Sequence, residues 1–169
     1  MKAVILAGGI GTRMRPLTYL VPKPLLPIGG KPLLERTIEY LKGYGFDEVI
    51  ICVAYLKGQI MDYLNRRRGE LGVKLNFAEA DAPLGTAGQL KTAEGFISDT
   101  FLAMNGDIFT SLNIKRLLDF HRPNTWTIAL KSYNFQIPYG LVEVGGDSRV
   151  KNFTEKPTNS YLVNAGIYI

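Results

Sequence analysis

The sequence predicts an α/β fold: a Rossmann-like, mostly parallel mixed sheet with helices on both faces. Three observations predict it. Short apolar runs rich in β-branched residues alternate with helical patterns from Lys2 to His121. The first run ends at Leu6 and breaks at once into Gly8, Gly9 and Gly11, a loop of the kind found where strands of parallel sheets meet ligands. Beyond Pro123 the helical patterns stop and only strand-like runs follow.

"KAVIL" from Lys2 is the first strand. Pro32 suits the first turn of a helix whose Leu34, Ile38 and Leu41 recur at i, i+4 and i+7, and which stops near Gly43 and Gly45. "EVIICVA" from Glu48, "KLNFAEA" from Lys74 and "TFLAMN" from Thr100 are the next strands, and "KGQIMDYLNRR", "GTAGQLKTAEG" and "NIKRLLDFHR" are the helices beside them. The closing runs "WTIALKSY", "GLVEV", "RVKNFTEK" and "YLVNAGIYI" read as strands that widen the sheet and build a second wall of the cleft. The last of them stops at Ile169 in mid-strand. Residues 1–169 are therefore read as one domain, truncated at its C-terminus, of a chain expected to continue.

Composition sets the class. With 46% hydrophobic residues and a mean hydropathy of +0.03, the chain reads as a soluble globular domain with a sizeable core. No apolar run approaches the roughly 20 residues of a membrane-spanning helix, and glycines arrive too early for a signal peptide. A cytoplasmic protein without a membrane partner is expected. The lone Cys52, inside "VIICVAY", can form no internal disulfide and reads as a small core residue.

The net charge of +5 does not imply nucleic acid, because the basic residues are dispersed. Their one tight run, Arg66 to Arg68, reads as a solvated helix end, where cations complement the dipole. His121, at the end of another helix, reads the same way. Trp126 and the tyrosines do not interleave with cations along one strand, so they read as core and cleft wall and not as a stacking platform.

The glycine loop carries the first chemistry. Three glycines so close admit positive φ and let backbone N–H groups approach an anion. A P-loop would need Lys-Ser/Thr where this chain has Thr12-Arg13, and a dinucleotide fingerprint started at Gly9 and Gly11 would need glycine where Met14 stands. What fits is a phosphate loop that carries its own arginine, whose planar fork matches phosphate oxygens; a plain tight turn is the competing reading. Downstream, Pro22 and Pro24 bracket Lys23, so its ammonium is presented from a stiff, extended segment. Asp107 follows a strand end in "NGD", as suited to a turn or helix cap as to a metal.

"LAGGIGTRMRPLT" followed by "PKPLLPIGGKPLLE" resembles the signature of the sugar-1-phosphate nucleotidyltransferases, or nucleotide-sugar pyrophosphorylases. "PLGTAGQL", "NGD", "YGLVEV", "FTEKP" and "VNAGIYI" match in the family's order, so the resemblance covers the whole chain. "LGTAG" and "NAGIYI" are most similar to the mannose-1-phosphate guanylyltransferase branch and the related long glucose-1-phosphate thymidylyltransferases.

The resemblance implies a fold of the nucleotide-diphospho-sugar transferase type. It also implies a reaction in which a sugar 1-phosphate oxygen attacks the α-phosphorus of a nucleoside triphosphate, giving a nucleotide sugar and pyrophosphate. It implies that Leu6, Gly8, Gly9, Gly11, Thr12, Gly85 and Thr86 hold the nucleotide, that Arg13 binds the β and γ oxygens, and that Lys23 stabilises charge at the α-phosphate. It further implies that Asp107 binds Mg2+, and that Gly140, Glu155, Lys156 and Asn164 take the sugar phosphate. Strand alternation would point Glu155 and Lys156 to opposite faces unless the turn at Pro157 twists them. The family's second metal-binding aspartate belongs beyond the segment matching "NAGIYI". Two other readings stay open: a regulatory subunit of the same fold that binds nucleotide sugar without turnover, and a nucleotidyltransferase acting on an alcohol phosphate such as phosphocholine. Formation of a homo-oligomer is also left open.

Overall fold

Ala3 to Leu6 and Val49 to Val53 are buried at every position. Side chains of both parities are therefore out of water, and both faces of the sheet are covered there. The computed structural model describes residues 1–169. Strand β1 (Lys2–Leu6) leads into the glycine loop and three 3-10 turns, followed by a short ribbon of β2 (Pro27–Ile28) and β3 (Lys31–Pro32). Then come α1 (Leu33–Gly43), β4 (Glu48–Val53), α2 (Lys57–Arg66), α3 (Arg68–Leu71), β5 (Lys74–Glu79), α4 (Gly85–Thr92), β6 (Leu102–Asn105) and α5 (Ile114–Phe120). The remainder is β7 (Ile128–Gln136), β8 (Leu141–Val144), β9 (Val150–Thr154) and β10 (Thr158–Tyr168).

The main sheet runs β5-β4-β1-β6-β10-β7. Its first four strands are parallel, with Leu6 opposite Cys52 on one side and Asn105 on the other. β10 joins antiparallel to β6, Ile167 facing Met104. The fold is the α/β arrangement expected, with a mostly parallel six-stranded mixed sheet. One core cluster gathers Val4, Leu6, Ile50, Cys52, Ala78 and Ala103, with Leu90 of α4 and Phe96 packed against it. The stripe Leu34, Ile38 and Leu41 of α1 is fully buried, each side chain contributing about 1.5–3 kcal/mol.

The chain divides into two compact units: Met1–Ile128 with Gly166–Ile169, and Ala129–Ala165. In the second unit β8 and β9 form a separate antiparallel hairpin, Val142 opposite Phe153, with an irregularity between Glu143 and Val144. Only part of the strand-rich half thus widens the main sheet. Val142, Val144, Phe153 and Leu162 of this unit are all exposed.

Several local expectations change. The helix expected across Arg66 to Arg68 breaks at Arg67 into α2 and α3. That run is not simply a solvated end: Arg67 Nη2 donates to Glu35 Oε1 at 3.1 Å, and Nε lies 3.0 Å from Oε2 as an ion pair without hydrogen-bond alignment. Glu35 is itself buried, on α1. The pattern from Gly85 to Gly95 splits into α4 and a 3-10 turn, Glu94–Phe96. Lys23 opens a 3-10 turn, so its segment is turned and not extended. Trp126 is 84% exposed and belongs to no core, but it does stand as a wall, lining an apolar hollow with Leu90, Phe101 and Tyr168; the backbone of its neighbour Thr127 is tied to Ile169. His121 caps α5, and its Nδ1 also bonds the Thr127 hydroxyl at 2.9 Å.

Candidate functional site

The loop after β1 is shaped by contacts that leave no room at two glycines. Gly11 has φ +68°, and a Cβ there would lie 3.0 Å from Thr18 Cγ2 and 3.1 Å from Lys23 Cβ. Glycine lets the loop turn and lets the Lys23 segment lie against it. Buried Thr18 fastens the same turn: its hydroxyl donates to Gly11 O at 2.9 Å, and its carbonyl accepts from the Tyr55 hydroxyl at 2.8 Å. At the end of β6, Gly106 N–H donates to Leu6 O at 2.8 Å. A Cβ at Gly106 would stand 2.9 Å from that oxygen, so the strand end carrying Asp107 sits directly against the strand end carrying the loop.

These contacts border an open cavity of about 240 Å³ in the first unit, at the carboxyl ends of β1 and β6. Leu6, Gly9, Gly11, Thr12, Arg13, Lys23, Thr86 and Asp107 all line it. Elements far apart in sequence thus converge on one hollow, where a parallel sheet offers a ligand its place. Gly8 and Gly85 are not among its lining residues: Gly8 is buried with its N–H engaged by Gln89, and Gly85 starts α4 at φ +67°.

Within the cavity Lys23 Nζ donates to Asp107 Oδ2 in a close ion pair. The two side chains are 27% and 35% exposed, so both can still meet a ligand. Arg13 makes no ion pair. Two cations, the backbone of a glycine loop and one carboxylate therefore face a single hollow, a donor set matched to polyphosphate. Asp107 as sole carboxylate also fits magnesium, which takes one or two carboxylates and completes its shell with phosphate oxygens and water.

Gly140, Glu155, Lys156 and Asn164 lie in the second unit. β9 ends at Thr154, and Lys156 takes φ +43°, a left-handed turn that cancels strand alternation. Its Nζ consequently lies 3.8 Å from Glu155 Oε1. Gly140 abuts the same corner, since a Cβ there would reach Phe153 and come within 3.0 Å of Glu155 Oε2. Asn164 stands on exposed β10 backbone farther along.

Gln89, Asn105 and Met14 also line the cavity and were not anticipated. Gln89 is the most consequential, and only its place one turn beyond Gly85 in "GTAGQL" hinted at it.

No helix is long and apolar enough to cross a membrane. The family model for the nucleotidyl transferases matches residues 2–169. The catalytic subunit beta of mannose-1-phosphate guanylyltransferase from Drosophila pseudoobscura pseudoobscura is 39% identical over 99% of this chain and 47% of its own length. Among solved structures, HddC from Yersinia pseudotuberculosis complexed with GMP-PN superposes with a TM-score of 0.76 at 30% identity, covering 99% of this chain and 75% of that one. The CTP:phosphocholine cytidylyltransferase of Streptococcus pneumoniae gives a TM-score of 0.65 at 30% identity, over 99% and 69%. The chain spans about half the length of the curated relatives it matches. By its sequence along nearly every residue, and by its fold, this chain belongs to the nucleotidyl transferase family.

Proposed function

We propose that residues 1–169 form the catalytic domain of a sugar-1-phosphate nucleotidyltransferase, joining a nucleoside triphosphate to a sugar 1-phosphate with release of pyrophosphate. The observation that carries this reading is the single cavity shared by Gly9, Gly11, Thr12, Arg13, Lys23, Thr86 and Asp107. Two polyanions must be held in line and their repulsion offset, which asks for positioning and fixed positive charge. The loop N–H groups and Thr12 cradle the triphosphate, Arg13 clamps its outer phosphates, and Lys23 offsets charge growing on the α-phosphate. Thr86, with the start of α4 at Gly85, faces the base. Asp107 would hold a magnesium ion, which supplies charge neutralisation on the phosphates when bound. Gly140, Glu155, Lys156 and Asn164 take the sugar 1-phosphate.

The guanylyltransferase relatives favour mannose 1-phosphate with GTP, and a glucose-1-phosphate thymidylyltransferase reading favours glucose 1-phosphate with dTTP. The presence of Arg13, Lys23 and Asp107 together in one cavity favours turnover over binding alone. The test is calorimetric titration with GTP, dTTP, UTP, CTP and ATP in magnesium buffer, followed by pyrophosphate release with mannose or glucose 1-phosphate. Saturable triphosphate binding, and release with one matched pair, are expected. Binding of none of the five refutes the reading.

A further inference from the structure

The Gly8 N–H donates to the Gln89 side-chain oxygen at 2.8 Å, across 81 residues of sequence. Gln89 is only 8% exposed, yet it lines the cavity with Arg13, Lys23 and Asp107. A backbone N–H can bond only to an acceptor, so the orientation of this carboxamide is fixed: Oε1 faces Gly8, and the Nε2 hydrogens remain as donors. No protein group accepts from Nε2. The clasp is tight in space as well, since a Cβ on Gly8 would lie 3.1 Å from both Gln89 Oε1 and Ala54 Cβ. At its other end Gln89 is anchored in α4, where its carbonyl accepts the Thr92 hydroxyl at 2.7 Å.

We infer that Gln89 is a positioning residue of the triphosphate loop: its oxygen pins Gly8 to α4, and its amide hydrogens are presented to an acceptor oxygen of the bound nucleoside triphosphate. This rests on the proposed function. The first half follows from hydrogen-bond accounting, because an unpaired buried N–H is costly and Gln89 supplies the partner. The second follows from the cavity: Nε2 is not a buried orphan but reaches the solvent-filled hollow that Gln89 lines, so a bound triphosphate oxygen takes the place of water there. One side chain thus couples the element starting at Gly85, which the proposal sets against the base, to the loop that cradles the phosphates.

Two variants separate the halves. Gln89→Glu keeps an oxygen for Gly8 but replaces the donors with an acceptor, whereas Gln89→Met removes both. Hydrogen exchange at the Gly8 amide, read without ligand, is expected to stay at the wild-type rate in Q89E and to accelerate at least about fivefold in Q89M, the lower range for leaving one buried donor unpaired. Calorimetry with GTP and dTTP in magnesium is expected to show affinity reduced about tenfold or more in both variants, with melting temperature little changed in Q89E. Unchanged Gly8 exchange in Q89M overturns the clasp. Wild-type affinity in Q89E overturns the donor role. If the wild-type chain binds none of the triphosphates, the proposed function falls and the donor role with it, while the exchange measurement still decides the clasp.

Discussion

Glu35→Ala is expected to destabilise the protein more than any change to the surrounding surface charges. The carboxylate is 1% exposed and is held by the Tyr63 hydroxyl, by Arg67 through Nη2 at 3.1 Å, and by Lys31 at 3.5 Å. Removing one member of a buried pair typically costs about 3–5 kcal/mol, because it strands the partner charge. Here the Arg67 and Lys31 side chains are 33% and 45% exposed, so water recovers part of that loss and about 3 kcal/mol is the appropriate figure. At about 2–4 °C per kcal/mol for a chain of this size, the melting temperature falls by roughly 6–12 °C. Burial pushes the Glu35 carboxyl up, but the Tyr63 bond, the Arg67 charge and Lys31 outweigh it and hold the pKa below its ordinary value of 4.5. A depressed folded-state pKa gives stability that is present above the unfolded value and lost as pH falls through the folded one. The advantage of wild type over Glu35→Gln is therefore full at neutral pH and shrinks below about pH 4.5. Thermal melts of wild type, Glu35→Ala, Glu35→Gln and the exposed control Glu70→Ala, each from pH 3 to 8, measure this. A drop under about 2 °C for Glu35→Ala at pH 7 would refute the reasoning, as would a wild-type advantage over Glu35→Gln that grows on acidification.

Arg13→Ala and Lys23→Ala are each expected to lower pyrophosphate release about a hundredfold or more, near 3 kcal/mol of transition-state stabilisation; Arg13→Ala should leave the melt unchanged, and near wild-type release from either variant refutes its role. Lys156→Ala should raise the apparent KM for sugar 1-phosphate while leaving triphosphate affinity in the sugar's absence unaltered, and equal loss for both ligands would count against a sugar-phosphate role. Gly11→Ala forces an L side chain to φ +68° beside Thr18 and Lys23, so about 1–2 kcal/mol of stability should be lost along with triphosphate affinity, both checked by melting and calorimetry. Burial pushes the Cys52 thiol up to about 11, which leaves only about one thiolate per thousand at pH 8; native protein should resist a disulfide reagent that reacts promptly after denaturation.

Local periodicity made the strands of the first unit legible, because consecutive buried residues such as Val49 to Val53 leave an unbroken apolar run in the sequence. The same holds for the buried stripe of α1. What the sequence concealed depends on partners distant along the chain. Arg67 looked like one of three solvated cations because its partner Glu35 lies 32 residues away on another helix. Gln89 drew no reading of its own because its partner Gly8 is 81 residues away. The geometry at Glu155 and Lys156 turned on one left-handed residue, and lysine carries no composition cue for positive φ as glycine does. Among the cavity residues Arg13 stood out beside its glycines, whereas the prolines around Lys23 pointed to an extended segment that is in fact a 3-10 turn. Leu6, Thr86 and Asp107 came with the family motifs and not with any backbone signal of their own.

The contact at Gly106 has a genetic consequence. Glycine is the smallest residue, so every missense change at this codon adds at least a Cβ, and that atom would meet the Leu6 carbonyl at 2.9 Å. The obstacle is backbone on the neighbouring strand, which no rotamer change can move aside. A mutant chain could make room only by parting the ends of β1 and β6, which displaces the glycine loop and Asp107 at once. Codon 106 should therefore tolerate no missense allele in a selection for activity, and a suppressor would have to be sought in the spacing of the two strands, since no side chain can be trimmed to relieve the clash.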